Sequence, residues 1–243
     1  MSEYREDTYG EKIAHIYDEW YPTCDTVAVQ TLCELARGGK VLELGIGTGR
    51  FALPLRERGV DIHGIDASPA MVAKLRAKPG GSEIPVTMGN FADVAVEGKY
   101  SLVFIAFNTF FALLTQEEQV RCFCSVSDHL APGGMFLVEA FVPDLSRFAG
   151  GQAFRTVGVD DGEVRLDASL HDPMLQQVVS QHIVINENGI KLYPVNLRYA
   201  WPSELDLMAQ LAGLNLKNRW ANWDKSPFTA SSGKHISVYE KRP

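Results

Sequence analysis

Between residues 41 and 141 the chain alternates short apolar runs with windows of helical period. The runs cover residues 41–44, 61–65, 85–88, 100–105 and 135–141, and the helical windows lie near 50–58, from Pro69 onward, and at 116–130. Strands alternating with helices predict an α/β domain with a mainly parallel sheet. Ahead of this block, Ile13, Ile16, Tyr17 and Trp20 sit at helical spacing and stop at Pro22. A second helix is predicted over 25–36 from Val27, Val29, Leu32 and Leu35. After residue 141 the period changes. Three extended segments, 163–170, 175–185 and 190–199, are predicted, with Asn186-Glu187-Asn188-Gly189 as the turn between the last two. A helix over 203–212, led by Pro202 and ended by Gly213, then precedes two strands, 214–221 and 234–240.

The first apolar run ends in KVLELGIGTGR, residues 40–50, with glycines at 45, 47 and 49. Glycine permits a tight turn and close backbone approach, and the helix that follows offers unpaired N–H groups to a ligand. The next run ends at Asp66. Consecutive strand ends share one rim of an open α/β sheet, so this carboxylate can accept the two hydroxyls of a ribose beside the glycine turn. The pair describes an adenosine-type site. A dinucleotide fingerprint would need glycine where Arg50 stands, and no Lys followed by Ser or Thr closes a phosphate loop. A nicotinamide-dependent oxidoreductase is disfavoured on that count.

The stretch Glu43-Leu44-Gly45-Ile46-Gly47-Thr48-Gly49 resembles the first motif of the class I S-adenosylmethionine-dependent methyltransferases, and Asp66-Ala67-Ser68-Pro69 and HLAPGGMFLVEA resemble later parts of the same pattern. The resemblance implies a Rossmann-like seven-stranded sheet flanked by helices, its final strand antiparallel, with an antiparallel β insertion as cap. It divides the chain into a helical lid (1–38), a core (39–141 and 201–243) and a substrate cap or oligomerisation insertion (142–200). The implied cofactor is S-adenosyl-L-methionine, held by Tyr17, Glu43, Gly45, Ile46, Gly47, Arg50, Asp66, Ala67, Met71, Gly89, Asn90, Phe91, Ala106 and Phe107. Many relatives carry an acid in the loop where Asn90 stands here. An amide oxygen can still accept a hydrogen bond from an adenine amine. Tyr9, Tyr17, Asn108 and Phe111 are the expected catalytic residues: the loop after strand four is the usual acceptor side, where rings exclude water and favour a sulfonium.

The tyrosine-bearing first helix, the aromatic loop and VEAFVPDLSRF further resemble bacterial antibiotic-pathway N-methyltransferases acting on small molecules. That implies an amine acceptor in a small metabolite, such as an amino sugar or a lincosamide-like intermediate. Some sugar-modifying relatives have a histidine where Ala112 stands, which is a departure. A small-molecule O-methyltransferase and a non-catalytic cofactor-binding assembly protein are the alternatives.

Composition narrows the partners. With 46% hydrophobic and 22% charged residues, the chain is an ordinary globular one. Thirty acids against 23 bases give a net charge of −7, unsuited to a nucleic-acid backbone. The first residues lack a basic stretch followed by an apolar one, and no run of 18 apolar residues exists, so a cytoplasmic enzyme with no membrane partner is expected. Cys24, Cys33, Cys122 and Cys124 lack a metal-ligand spacing and read as reduced structural thiols. Self-association through residues 142–200 is a further expectation. His129 reads as structural, and Glu139, inside an apolar strand, needs a partner.

Overall fold

The computed structural model describes residues 4–22 and 24–241. Residues 1–3, 23 and 242–243 of the expected lid and core segments lie outside that range. In chain order the elements are α1 (Thr8–Ile13), α2 (Tyr17–Trp20), α3 (Thr26–Ala36), β1 (Val41–Leu44), α4 (Ala52–Glu57), β2 (Ile62–Asp66), α5 (Pro69–Arg76), β3 (Val86–Met88), β4 (Tyr100–Ile105), α6 (Gln116–His129) and β5 (Leu130–Phe141). There follow β6 (Gln152–Asp160), β7 (Glu163–Asp172), β8 (Gln177–Asn186), β9 (Gly189–Arg198), α7 (Pro202–Leu211), β10 (Leu214–Trp220) and β11 (Lys234–Lys241).

Seven strands form one sheet in the order β10-β11-β5-β4-β1-β2-β3. Strands β1 to β5 run parallel, and β11 is antiparallel to both β5 and β10, as expected of the final strand. The chain steps outward from β1 to β3 and then returns to β4 beside β1. That reversal opens a crevice at the carboxyl ends of β1 and β4, where ligands of such sheets bind. The central strands are apolar on both faces because helices cover both: Leu102, Val103, Phe104 and Ile105 are all fully buried. Local signals set the helix starts. Ser68 accepts the Met71 N–H with Pro69 at the first helical position, and Thr115 and Glu118 form a reciprocal capping box on α6.

The second sheet is the antiparallel insertion, in the order β6-β7-β8-β9. It has four strands, one more than the periodicity predicts. Strand β6 carries Arg155, Thr156 and Asp160 in a bulged edge strand that buries neither side, so it lacks the alternation that marks a strand. Pro194, which the pattern reads as an interruption, lies inside β9. This strand is an edge of the sheet, where a missing N–H costs no ladder bond. The single N-terminal helix expected over 11–20 is two short ones broken at residues 14–16. Strand β5 starts at Leu130 rather than 135, running through Pro132 and Gly133 with an irregular register opposite Tyr100 and Leu102.

Candidate active site

Gly45 and Gly47 shape the first rim. Gly45 has φ +72°, and a Cβ there would lie 2.5 Å from Thr109 Cγ2. Gly47 has φ +55° with only Gly45 O, at 3.9 Å, near its Cβ position, so any side chain would project into open space. Asp66 ties the turn to the next helix. Its Oδ2 accepts the Gly47 N–H at 2.7 Å and its Oδ1 accepts the Ser68 N–H at 2.9 Å. Burial pushes the Asp66 carboxyl up from its usual value, and these backbone donors oppose that shift.

Two carboxylates from the N-terminal helices clamp the rim. Glu11 accepts the Ser68 hydroxyl and the Ala70 N–H, at 2.8 and 2.9 Å. Asp18 accepts the Thr48 hydroxyl at 2.6 Å and the Lys78 ammonium at 2.9 Å. Between the N-terminal helices α1 and α2 and the rim lies a cavity of about 230 Å³ lined by Tyr9, Tyr17, Gly45, Gly47, Asp66, Ala67, Met71, Asn90 and Phe91.

The end of β4 forms the second rim. Phe107 and Asn108 are consecutive non-glycine residues with φ of 57° and 65°. Each such residue costs about 1–3 kcal/mol, so the turn persists only if its surroundings hold it. Glu139 supplies that hold: its carboxylate accepts the Phe107 N–H at 3.0 Å, the Trp223 indole at 3.1 Å and the Lys234 ammonium at 3.0 Å. Its backbone oxygen accepts the Asn108 N–H, and Asn108 Oδ1 accepts the Phe141 N–H at 2.7 Å. Phe107 is thereby placed with the Arg50 guanidinium 4.1 Å over its ring and the Tyr21 ring edge-on at 4.9 Å. Beside them Glu43 is buried with Oε2 unpartnered. Burial raises its carboxyl well above the usual range, against the pull of Arg50.

A second chamber of about 400 Å³ lies between the N-terminal helices, the β4 end and the cap sheet. It shares Tyr4, Tyr9, Tyr17, Thr109 and Ala112 with the first cavity, so the two meet there. Its aromatic wall includes Tyr21, Phe107 and Phe141, and its polar wall is a cross-strand cluster from the cap. Asp167, 5% exposed, accepts Arg155 Nε at 2.8 Å and Nη2 at 2.6 Å through Oδ2, and His182 Nδ1 through Oδ1. Although burial raises its carboxyl, these two partners together hold it below the usual aspartate value. Tyr17 behaves oppositely: burial pushes its hydroxyl up to about 12 despite nearby Arg50.

The family model for a methyltransferase domain matches residues 41–134. The CcbJ methyltransferase from Streptomyces caelestis superposes with a TM-score of 0.92 at 45% identity, covering 99% of this chain and 100% of that one. This chain belongs to the class I S-adenosylmethionine-dependent methyltransferases. A cypemycin N-terminal methyltransferase from a Streptomyces species is 29% identical over 207 residues, 84% of each chain. DesVI from Streptomyces venezuelae shares the fold at 21% identity, with a TM-score of 0.68 over 92% of this chain and 97% of that one.

The residues present fit the methyltransferase cofactor. The open space before Gly47 admits a ligand against the backbone, the unpartnered Glu43 oxygen suits a cationic amino group, and Asp66 retains lone pairs beyond its two backbone donors. Of the residues expected from the sequence, Tyr17, Glu43, Gly45, Ile46, Gly47, Arg50, Ala106 and Phe107 surround a small pocket joining the two rims. Tyr9 and Asn108 line the larger chamber. Asn90 lines the first cavity with Oδ1 already accepting its own loop's Ala92 N–H at 2.9 Å. Two do not gather there. Gly89 lines neither cavity, its N–H being donated to Asp66 O, and Phe111 is fully buried, edge-on to Phe141 in the core. Sequence reasoning missed Tyr4, Arg155, Asp167 and the role of Ala112 as cavity wall; Thr109 stood only among the residues following strand four, and His182 only among many polar cap residues.

Among the described residues no helix is long and apolar enough to cross a membrane, and no group of three or more His, Cys, Asp or Glu could hold a metal ion.

Proposed function

We propose that this methyltransferase methylates an amine of a small metabolite, with the cofactor in the cavity between lid and glycine rim and the acceptor in the larger chamber under the cap. The observation that carries this reading is the meeting of the two cavities at Tyr9, Tyr17 and Thr109. Bound, the cofactor supplies an electrophilic methyl group on a sulfonium sulfur. Glu43, Asp66 and the backbone of Gly45 and Gly47 hold its polar ends. The rings of Tyr9, Tyr21 and Phe107 exclude water from the junction, and positioning of the nucleophile can then contribute much of the acceleration. Tyr17 stays protonated through neutral pH and orients by hydrogen bonding. Because Nδ1 of His182 donates to the Asp167 carboxylate, the proton an acceptor loses can pass to Nε2, which has no partner among the described residues.

Nitrogen is favoured by the relative named for N-terminal methylation, and a chamber of about 400 Å³ suits a small acceptor. The chamber also counts against a non-catalytic assembly role. The net charge of −7 argues against a nucleic-acid partner. We take the enzyme to act in the cytoplasm and to self-associate through its cap. O-methylation is the second reading, and the Asp167–His182 pair favours it, because an unactivated hydroxyl needs a base that a free amine does not. Trideuteromethyl-labelled cofactor, incubated with the enzyme and panels of pyrrolidine carboxamides, amino sugars and matched hydroxyl compounds, separates these readings. Label on nitrogen is expected; label on oxygen moves the assignment to the second reading, and no transfer despite stoichiometric cofactor binding sinks both.

A further inference from the structure

The segment that leads from β5 into the cap, VPDLSRF, carries a charge that the acceptor chamber does not answer. Asp144 Oδ1 accepts the Ser146 N–H at 3.0 Å and starts a single 3-10 turn, Leu145–Arg147, whose last residue lines the chamber. The Arg147 guanidinium lies 4.6 Å from the centroid of the Phe148 ring. Phe148 stacks in turn on His171 at 4.5 Å and 21°, and His171 Nε2 shares a hydrogen bond of 3.0 Å with the Tyr199 hydroxyl. Tyr199 is buried, so the stack is rooted in the core and orients the guanidinium before any ligand arrives. Arg147 itself is exposed, which puts its donors at the mouth of the chamber, and they meet no hydrogen-bond acceptor among the described residues.

Two arginines, Arg147 and Arg155, and one carboxylate, Asp167, line the chamber. Asp167 is already engaged by Arg155 and His182. Arg155 reaches it through Nε and Nη2 and leaves Nη1 free. Burial and the neighbouring Arg155 charge lower the Arg147 guanidinium from its ordinary value, and Asp144 and Asp167 oppose that only in part. Asp144 turns to Ser146 and does not line the chamber. Because arginine stays protonated, the wall keeps one uncompensated positive charge. A planar fork of N–H donors carrying one excess charge matches one carboxylate. Arg147 lines the chamber alone, whereas Tyr9 and Tyr17 also line the cofactor cavity, so the charge stands away from the junction where methyl transfer is placed.

We propose that the acceptor is an amino carboxylate: besides the amine that is methylated it carries one carboxylate, which the Arg147 fork binds at the mouth of the chamber with Arg155 Nη1 beside it. The contact contributes binding and orientation, and the reacting nitrogen lies at the other end of the molecule. The inference rests on the placement of the acceptor in this chamber and adds the chemical class of what enters it.

Matched pairs test it: prolylglycine, prolyl-β-alanine and glucosaminuronic acid, each against its carboxamide. Titrated calorimetrically into the wild type loaded with S-adenosylhomocysteine, at least one acid should bind about tenfold more tightly than its carboxamide. Arg147→Gln should remove that difference by weakening the acid alone, with S-adenosylhomocysteine affinity retained. Arg147→Lys keeps the charge without the fork and should hold about a third of the preference, and it answers if Arg147→Gln fails to fold. Equal affinity of every acid and its carboxamide, a preference that survives Arg147→Gln, or no binding of any acid would overturn the proposal. Trideuteromethyl transfer to the carboxamides as fast as to the acids would overturn it too and leave methyl transfer standing. Acid-selective binding without transfer would uphold the carboxylate contact and sink the methyl-transfer reading for these amines.

Discussion

The glycine rim and the cap chamber are built by opposite means. At the rim, backbone N–H groups of Gly47 and Ser68 meet one carboxylate, Asp66, and the turn requires residues that tolerate positive φ. On the cap wall of the chamber, side chains from three strands converge on another carboxylate, Asp167, while the left-handed residues Phe107 and Asn108 belong to the opposite wall. A backbone-built site accepts one ligand in one pose. A side-chain-built wall can be rewritten residue by residue without disturbing the sheet beneath it. The division suits an enzyme with a fixed cofactor and an acceptor that differs between relatives.

The largest effect is expected from cutting the residue that holds the β4-end turn between the two regions. Glu139→Ala should leave the Phe107 N–H and the Trp223 indole unpaired in a buried setting and release the strained turn. A loss of about 3 kcal/mol in urea unfolding is expected. A loss below about 1 kcal/mol would mean that the turn is held by other contacts.

Tyr17 stands where the regions meet. Tyr17→Phe should lower turnover about tenfold, roughly 1.4 kcal/mol, with little change in stability. Because the hydroxyl is pushed up to about 12, the ratio of variant to wild-type rate should stay flat from neutral pH up to about 10, near the unperturbed tyrosine value. A ratio that changes across that range, or an unchanged rate, would remove Tyr17 from the site.

Acid should separate the two regions more gently. His235, buried between β5 and β10, is lowered to about 4 from 6.5 by burial, so it prefers to be neutral in the folded core. Its stabilisation is complete above pH 6.5 and is lost as pH falls toward 4, by roughly 3 kcal/mol at most. Asp167 lies below its ordinary 3.8, so its contribution survives that interval and is lost only at lower pH. Hydrogen exchange followed from pH 7 to 3 should show core amides opening before those of β7 and β8. The reverse order would contradict this assignment.

What the sequence disclosed follows the same division. Strands β4 and β5 were legible because burial on both faces makes them largely apolar runs, β1 and β2 because shorter apolar runs end at the glycine turn and at Asp66, and α5 because Ser68-Pro69 is a local start signal. Gly45, Gly47 and Asp66 were legible because their backbone roles restrict residue type. Phe111 was misplaced because an aromatic in the loop after β4 serves core and site equally well; neighbouring Phe107 differs only by a left-handed turn held by a residue 32 positions away. Asp167 and Arg155 were missed because facing in a sheet depends on register and on which side is covered. In the cap, the covered side sets Asp167, Ser180 and His182 beside Val178, Val184 and Tyr193, so the usual pattern of apolar-in and polar-out does not place Asp167. Strand β6, exposed on both sides and bulged, gave no period at all.

Calorimetric titration with S-adenosylhomocysteine tests the central assignment most directly. The wild type and His182→Asn should bind it stoichiometrically with equal affinity, because the chamber wall is separate from the rim. Gly47→Trp should show no binding, because the new side chain fills the open space before the turn. Wild-type affinity in Gly47→Trp would contradict the placement of the cofactor on the glycine rim.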